Sequence, residues 1–281
     1  MITLFLILFA GALVAGLLGS MTGLGGGVVI IPLLTIGLGV DIRYAIGTSL
    51  VAVIATSSGA AIAYLKEGVT NIRIGMFLEI ATTLGAICGT MLALIAPTHA
   101  LAIIFGIVLL YSAVNSFINR EKTYPPYREP VAGEHKITAF LRLDGSYPSG
   151  NKHILYNVFN VGGGFIVMVI AGVLSGLLGI GSGAFKVIAM DNVMKIPYKV
   201  SSATSNFMIG VTAAASAGIY FSRGYIDPVL SMPVILGILV GAAIGARTLI
   251  ASKTRNLKIL FSIVIVLLAI EMIYNGITKL V

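Results

Sequence analysis

Long uncharged stretches divide this chain. No Asp, Glu, Lys or Arg occurs from Met1 to Val40 or between Lys199 and Arg223, and between Arg73 and Arg120 the only charged side chain is Glu79. A helix of about 20 apolar residues crosses a hydrocarbon core about 30 Å thick. The pattern predicts long helices over residues 2–21, 44–65, 72–96 and 100–118, and again over 158–178, 201–221, 229–250 and 258–280. Each set also holds a short segment directly after a glycine-rich break, the apolar 28–38 or its equivalent 184–194. As helix such a segment is roughly 17 Å long, too short to span. The first two segments of each set therefore form either a hairpin whose tip stops within the bilayer or a pair of spans. In both cases the chain returns to its starting side. Residues 1–19 have no basic leader and run straight into this pattern, so a mature helix is expected there rather than a signal peptide.

The two sets are copies. Gly23-Leu24-Gly25-Gly26-Gly27 returns as Gly179-Ile180-Gly181-Ser182-Gly183, an offset of 156 positions. The same offset carries Thr48-Ser49 onto Thr204-Ser205, Thr56 onto Thr212, Tyr64 onto Tyr220, and Gly85 and Gly89 onto Gly241 and Gly245, with no gap. Repeats in a membrane protein point to a transporter whose site lies where the repeats meet.

Basic residues orient the copies. The polar segment between them, about residues 119–152, carries Arg120, Lys122, Arg128, Lys136, Arg142 and Lys152, which places it in the cytoplasm. Counting outward from it puts Lys66 inside and its equivalent Ser222 outside, and puts Pro97 outside and its equivalent Lys253 inside. Arg43 and Arg223 fall outside as exceptions. The copies thus enter the membrane from opposite faces. The expected fold is an all-α polytopic membrane protein of two inverted-topology repeats, each a glycine-broken helical hairpin followed by three spanning helices. Its parts are 1–118, a cytoplasmic linker at 119–157, and 158–281. Within the linker, Tyr124-Pro125-Pro126-Tyr127 is followed by alternation over 136–143 and a turn signal at Asp144-Gly145, which reads as a small hairpin or as disorder.

Composition narrows the function. Of all residues 58% are hydrophobic and 10% charged, against about 25% charged in soluble domains. The net charge of +8 sits in loops, not on one amphipathic face, so no nucleic-acid partner is implied. The lone Cys88 forms no internal disulfide and reads as a small buried hydrophobe. No His/Cys/Asp cluster suggests a metal, no P-loop suggests nucleotide hydrolysis, and no paired aspartates or Ser-His arrangement suggests an intramembrane enzyme. No cofactor is expected.

The glycine breaks lack the strand and spacing of a dinucleotide fingerprint. Close helix packing is their plainer role. Consecutive glycines, however, interrupt a helix, and an interrupted helix at membrane depth leaves N–H groups that need protein or a cavity. Two such breaks meeting near the midplane would present free amides and positive dipole ends to an anion. The candidate site is Gly25, Gly26, Gly27, Thr48 and Ser49 with Gly181, Ser182, Gly183, Thr204, Ser205 and Asn206. The hydroxyls either line a cavity or bond to their own backbone. Asn206, whose equivalent is Leu50, needs partners wherever it is buried. Lys186, whose equivalent is Ile30, either balances an anion or snorkels to the surface. Glu79 and Glu271 are candidates for carrying a proton, with the headgroup level as the alternative. His99 reads as an exposed loop residue.

The first break with Ile31-Pro32-Leu33 and Ala45-Ile46-Gly47-Thr48-Ser49-Leu50 resembles the sulfite exporter TauE/SafE family of membrane permeases. The run from Lys199 to Ala213, with Gly241-Ala242 and Gly245-Ala246-Arg247, is similar to a prokaryotic branch of it. The likeness spans nearly all the chain except the central segment. Ser182 stands where the family usually has glycine, and Ile188 where it usually has proline. The resemblance implies a multi-pass cell-membrane carrier of a small sulfur-containing anion, such as sulfite or a sulfonate, exported by some members and imported by others. A passive anion channel is the alternative. The inverted arrangement predicts that cysteines placed at Lys66 and Ser222, in a Cys88→Ser background, react with an impermeant reagent from opposite sides of the membrane. Labelling from one side would make the repeats parallel.

Overall fold

The computed structural model describes residues 2–22, 25–118, 136–149, 152–251 and 255–278. Its helices are α1 (Ile2–Thr22), α2 (Gly27–Leu38), α3 (Ile42–Lys66), α4 (Ile72–Ile95), α5 (Thr98–Ile118), α6 (Lys136–Leu141), α7 (Val161–Leu178), α8 (Gly183–Ile188), α9 (Tyr198–Ser222), α10 (Pro228–Ala251) and α11 (Arg255–Ile277). Strands β1 (Gly145–Ser149) and β2 (Lys152–Tyr156) pair antiparallel between α6 and α7. Thr3–Met21, Ile42–Lys66, Ile72–Ile95, Val161–Leu178 and Pro228–Gly245 are long and apolar enough to cross a bilayer. The protein is an all-α multi-pass membrane protein. Local signals set the ends. Asn71 and Asn160 cap α4 and α7 by accepting from Ile74 N and Gly163 N, and Gly39 and Gly179 close α2 and α7 in the left-handed conformation. At 12 residues α2 is about 18 Å long and cannot span alone. Its equivalent departs from the expected single helix: α8 gives way to a π-helical turn at Ala189–Val193.

Glycines set the packing between halves. In α4, a Cβ on Gly85 or Gly89 would lie 2.2 or 2.0 Å from the Val169 or Val173 carbonyl of α7. In α10, a Cβ on Gly241 or Gly245 would lie 2.0 or 2.4 Å from the Leu13 or Leu17 carbonyl of α1. The fourth helix of each half therefore seats the first helix of the other, through repeated glycines, with the paired helices parallel. Equivalent helices meet antiparallel. Gly106 of α5 lies against Ala269 and Ile273 of α11 while Gly276 lies against Ile103 and His99. Ser57 of α3 bonds to the Asn206 carbonyl of α9, and Tyr44, thirteen residues earlier, stacks edge-on against Tyr225, beyond the end of α9.

The two ends of this bundle differ. At one, Arg43 Nη2 donates to the Ala96 carbonyl at 3.1 Å, beside Tyr44 and Tyr225. At the other, Asn71 Nδ2 donates to the Leu143 carbonyl and the Tyr156 hydroxyl at 3.0 and 2.8 Å, and Arg73 donates to the Arg142 carbonyl. The segment between the halves is thus docked on the start of α4. Burial pushes the Tyr156 phenol up to about 12; the Asn71 bond opposes this and Asp144 adds to it. Tyr156 is therefore a neutral hydrogen-bonding partner near pH 7.

Four expectations change. Residues 136–141 are a helix rather than a strand, and the hairpin starts at Gly145 instead of turning around Asp144-Gly145, because Asp144 Oδ1 accepts from Val158 N. Tyr124-Pro125-Pro126-Tyr127 lies outside the described residues, as do Gly23 and Leu24. Cys88 is exposed: the buried face of α4 runs through Gly85, Ala86 and Gly89, and position 88 falls off it. His99 is half-buried in the first turn of α5 rather than in a loop.

Replacing Gly89 or Gly241 by alanine should lower the melting temperature of the purified protein, by an amount equivalent to about 1–3 kcal/mol for a forced side chain in a tight seam. Gly218→Ala, where a Cβ meets nothing within 4 Å, should raise it slightly. Equal melting of all three variants would contradict the seam.

Candidate functional site

The breaks leave helix ends inside the protein, and the opposite half supplies their partners. Gly25 and Gly181 turn the chain with φ of +77° and +70°, a conformation glycine adopts without a Cβ clash. Ser182 adopts φ +48° although it is not glycine. The breaks touch. A Cβ on Gly27 would lie 3.1 Å from the Gly179 carbonyl, and one on Gly25 would lie 3.4 Å from the Ile180 carbonyl. Val53, near the midpoint of α3, packs against Gly25, Gly27 and Gly181, and its equivalent Ile209 packs against Gly181. These two side chains fill the space between the breaks.

Among the residues singled out in the sequence, Ser49 Oγ donates to the Gly179 carbonyl at 2.7 Å, so the first half holds the broken end of α7. Asn206 Nδ2 donates to the Ser20 carbonyl at 3.1 Å, and Tyr64 donates to the same carbonyl at 2.8 Å, so α9 and α3 hold the end of α1. Ser205 Oγ donates to the Gly183 carbonyl at 3.2 Å. Thr204 Oγ1 accepts from Asn71 N at 3.0 Å, which ties α9 to the start of α4. Thr56 bonds to Ala52 of its own helix. What remains is Thr48 Oγ1, Ser182 Oγ and Asn206 Oδ1, all buried without a hydrogen-bond partner. Neither Gly26 nor Ser182 caps the helix it precedes with a side-chain bond. Native proteins seldom leave buried polar atoms unpaired, and those left so mark a place for water or an ion.

Lys186 does not snorkel. It is fully buried and donates to Thr212 Oγ1, and its Nζ lies 3.7 Å from Glu79 Oε2. Thr212 Oγ1 donates to Glu79 Oε1 at 2.6 Å. Sequence reasoning named Lys186 and Glu79 separately and missed Thr212 as their bridge. The signal was its recurrence at the Thr56 position, but nothing in the spacing shows that α4 crosses α9 there. Glu271 is exposed on α11, which packs on α5 and α2. The structure does not bring it to this group.

A family model described as sulfite exporter TauE/SafE matches residues 8–272. The chain is 27% identical to "Probable membrane transporter protein YunE" of Bacillus subtilis, across 97% of this chain and 98% of that one. It is 26% identical to "Probable membrane transporter protein YdhB" of the same organism, across 87% and 88%. It is also 26% identical to a "Probable membrane transporter protein" of Xylella fastidiosa, across 97% and 95%. No solved structure matches the chain significantly.

Ser49→Ala should leave the buried Gly179 carbonyl without this donor and destabilise the protein by about 1–3 kcal/mol. Ser58→Ala, which removes only an exposed bond to its own helix, should stay within about 0.5 kcal/mol. Thermal melts that coincide for the two variants would mean that the carbonyl does not depend on Ser49.

Proposed function

The chain belongs to the sulfite exporter TauE/SafE family, and on that premise we propose that it is a secondary carrier of a small sulfur-containing anion, sulfite, a sulfonate or a related organosulfur acid. It works by alternating access of two inverted repeats, with proton coupling through Glu79. The observation that carries this reading is the meeting of the two glycine breaks beside the midpoint of α3, with uncapped helix starts and the unpartnered hydroxyl of Ser182 at the second break. Backbone amides and hydroxyls are the donors that an oxyanion needs, and a helix start adds a positive dipole end.

The antiparallel meeting of α3 with α9 and of α5 with α11 supports the inverted arrangement, since copies related by a twofold in the membrane plane run in opposite directions. Ser49, Ser205 and Asn206 hold the backbone of the site, Gly26, Gly27 and Gly183 belong to the breaks themselves, Thr204 ties α9 to the start of α4, and Lys186 supplies positive charge beside the second break. Val53 and Ile209 close the gap between the breaks, as expected of a carrier in an occluded state and not of an open pore.

The test is a thermal-shift screen of purified protein with sulfite, sulfate, thiosulfate, sulfoacetate and taurine. At a hundredfold excess over Kd a ligand adds about 2.7 kcal/mol of stability. One or more of these anions should raise the melting temperature, and Gly25→Val and Gly181→Val should abolish both the shift and transport into proteoliposomes. Accumulation against a gradient supports a carrier, whereas uptake that only equilibrates identifies a passive channel. No shift with any of the five compounds, the four anions or zwitterionic taurine, would remove the substrate class.

A further inference from the structure

Glu79, Lys186 and Thr212 meet across the boundary between the halves, and the arrangement is built only once. The equivalent of Glu79 is Ile235 and that of Lys186 is Ile30, so nothing in the first arm replaces the pair. Lys186 lies within the first two turns after the second break, its N–H bonded to the Ser182 carbonyl. Its ammonium has three donors, yet among the described residues it hydrogen-bonds only to Thr212. Glu79 accepts from Thr212 and Thr83 through Oε1, while Oε2 is buried with no hydrogen bond, 3.7 Å from Lys186. The pair is therefore close enough to neutralise charge but leaves donors on the lysine and an acceptor on the glutamate unused. A buried ion pair retained for stability alone has its hydrogen bonds completed.

We propose that Glu79 is an internal stand-in for the substrate: in the empty carrier it balances Lys186, and a bound oxyanion takes its place there while Glu79 takes up one proton. This rests on the reading that the anion binds at the breaks. The exchange balances. The Lys186 ammonium keeps its protons and pairs with the anion, and the displaced Glu79 carboxylate gains a proton from water to become a neutral acid. No covalent bond in the substrate changes. A buried carboxylate that has lost its counter-charge neutralises because burial disfavours the charged form. A monoanion and a proton therefore enter together with no net charge.

Other titratable groups on the surrounding elements are few. On α4 they are Arg73 and Cys88, in the π-helical turn Asp191, on α9 Tyr198, Lys199 and Tyr220, and on α5 His99 and Tyr111, whose ring stacks on Phe185 beside Lys186; α7 has none and α8 only Lys186. Arg73, Cys88 and Lys199 are exposed. Glu79 is the carboxylate that faces the lysine.

The experiment measures binding of sulfite, sulfate, thiosulfate, sulfoacetate and taurine to the purified full-length protein, with proton uptake read by a pH indicator and corrected for each anion's own titration. Wild type should take up one proton per anion, and its Kd should rise up to tenfold per pH unit. Glu79→Gln should bind with no proton uptake and no pH slope. Lys186→Met should lose binding, and so should the double variant Glu79→Gln/Lys186→Met, in which no charge is left unpaired to unfold the protein. Wild-type proton uptake in Glu79→Gln, or wild-type binding by the double variant, overturns the proposal and makes the pair a structural tie. Gly181→Val separates the two ideas. If it abolishes binding while Glu79→Gln keeps its proton, only the stand-in role fails. If it binds normally while Glu79→Gln is uncoupled, only the placement at the breaks fails. If none of the five compounds binds wild type, both fail.

Discussion

A helix that ends inside a bilayer leaves carbonyls and amides that water cannot reach, each costing several kcal/mol if unpaired. In this protein α1 and α7 both end among residues buried within the protein. The Ser20 carbonyl is held by Asn206 and Tyr64, and the Gly179 carbonyl by Ser49. Ser49 reaches across the boundary between the halves, and so does Asn206. Neither broken arm has its partners within its own half alone, so the halves must associate before the breaks can exist. Much else follows from that requirement: the antiparallel crossing of α3 and α9, the polar residues along both, and the tight approach of Gly27 to Gly179.

The glycine seams serve the same arrangement from outside. Lipid chains are as apolar as leucine, so helices in a membrane gain by packing closely rather than by escaping solvent. The positions that allow this, Gly85 and Gly89 in α4 and Gly241 and Gly245 in α10, lie against backbone carbonyls of α7 and α1. Those two helices carry the breaks. Their seating therefore controls where the broken ends arrive, and a shift of either helix along its seam moves a break relative to Val53.

Much of this was legible in the sequence for identifiable reasons. Repeats separated by a constant offset reveal equivalent helices, and uncharged stretches reveal spans, because both signals are one-dimensional. The breaks were legible because consecutive glycines have few structural uses within an apolar run. What could not be read was which hydroxyl faces which carbonyl. Thr48 and Thr204 occupy equivalent positions, yet Thr48 is unpartnered while Thr204 accepts from Asn71. Periodicity assigns residues to a face but says nothing of what the other half brings to that face. The Lys186–Thr212–Glu79 group was hidden for the same reason: its members come from three helices and from both repeats. The burial of Cys88 was misjudged because hydrophobicity does not mark the inner face of a helix that is apolar all round; that face runs through Gly85, Ala86 and Gly89, and position 88 falls off it.

The partnership of α1 with α10 has a consequence for how the chain is made. A ribosome extends a chain at roughly 5–20 residues per second, and Gly241, which seats Leu13, emerges long after α1 has entered the membrane. Until the second half is made, α1 has only α2 and α3 beside it and Tyr64 on its Ser20 carbonyl, while its broken end waits for Asn206 and its flank for α10. Contacts so distant along the chain close slowly. A helix made early is thus among the last to be locked, and a chain cut short before α10 leaves α1 without the seam that holds it.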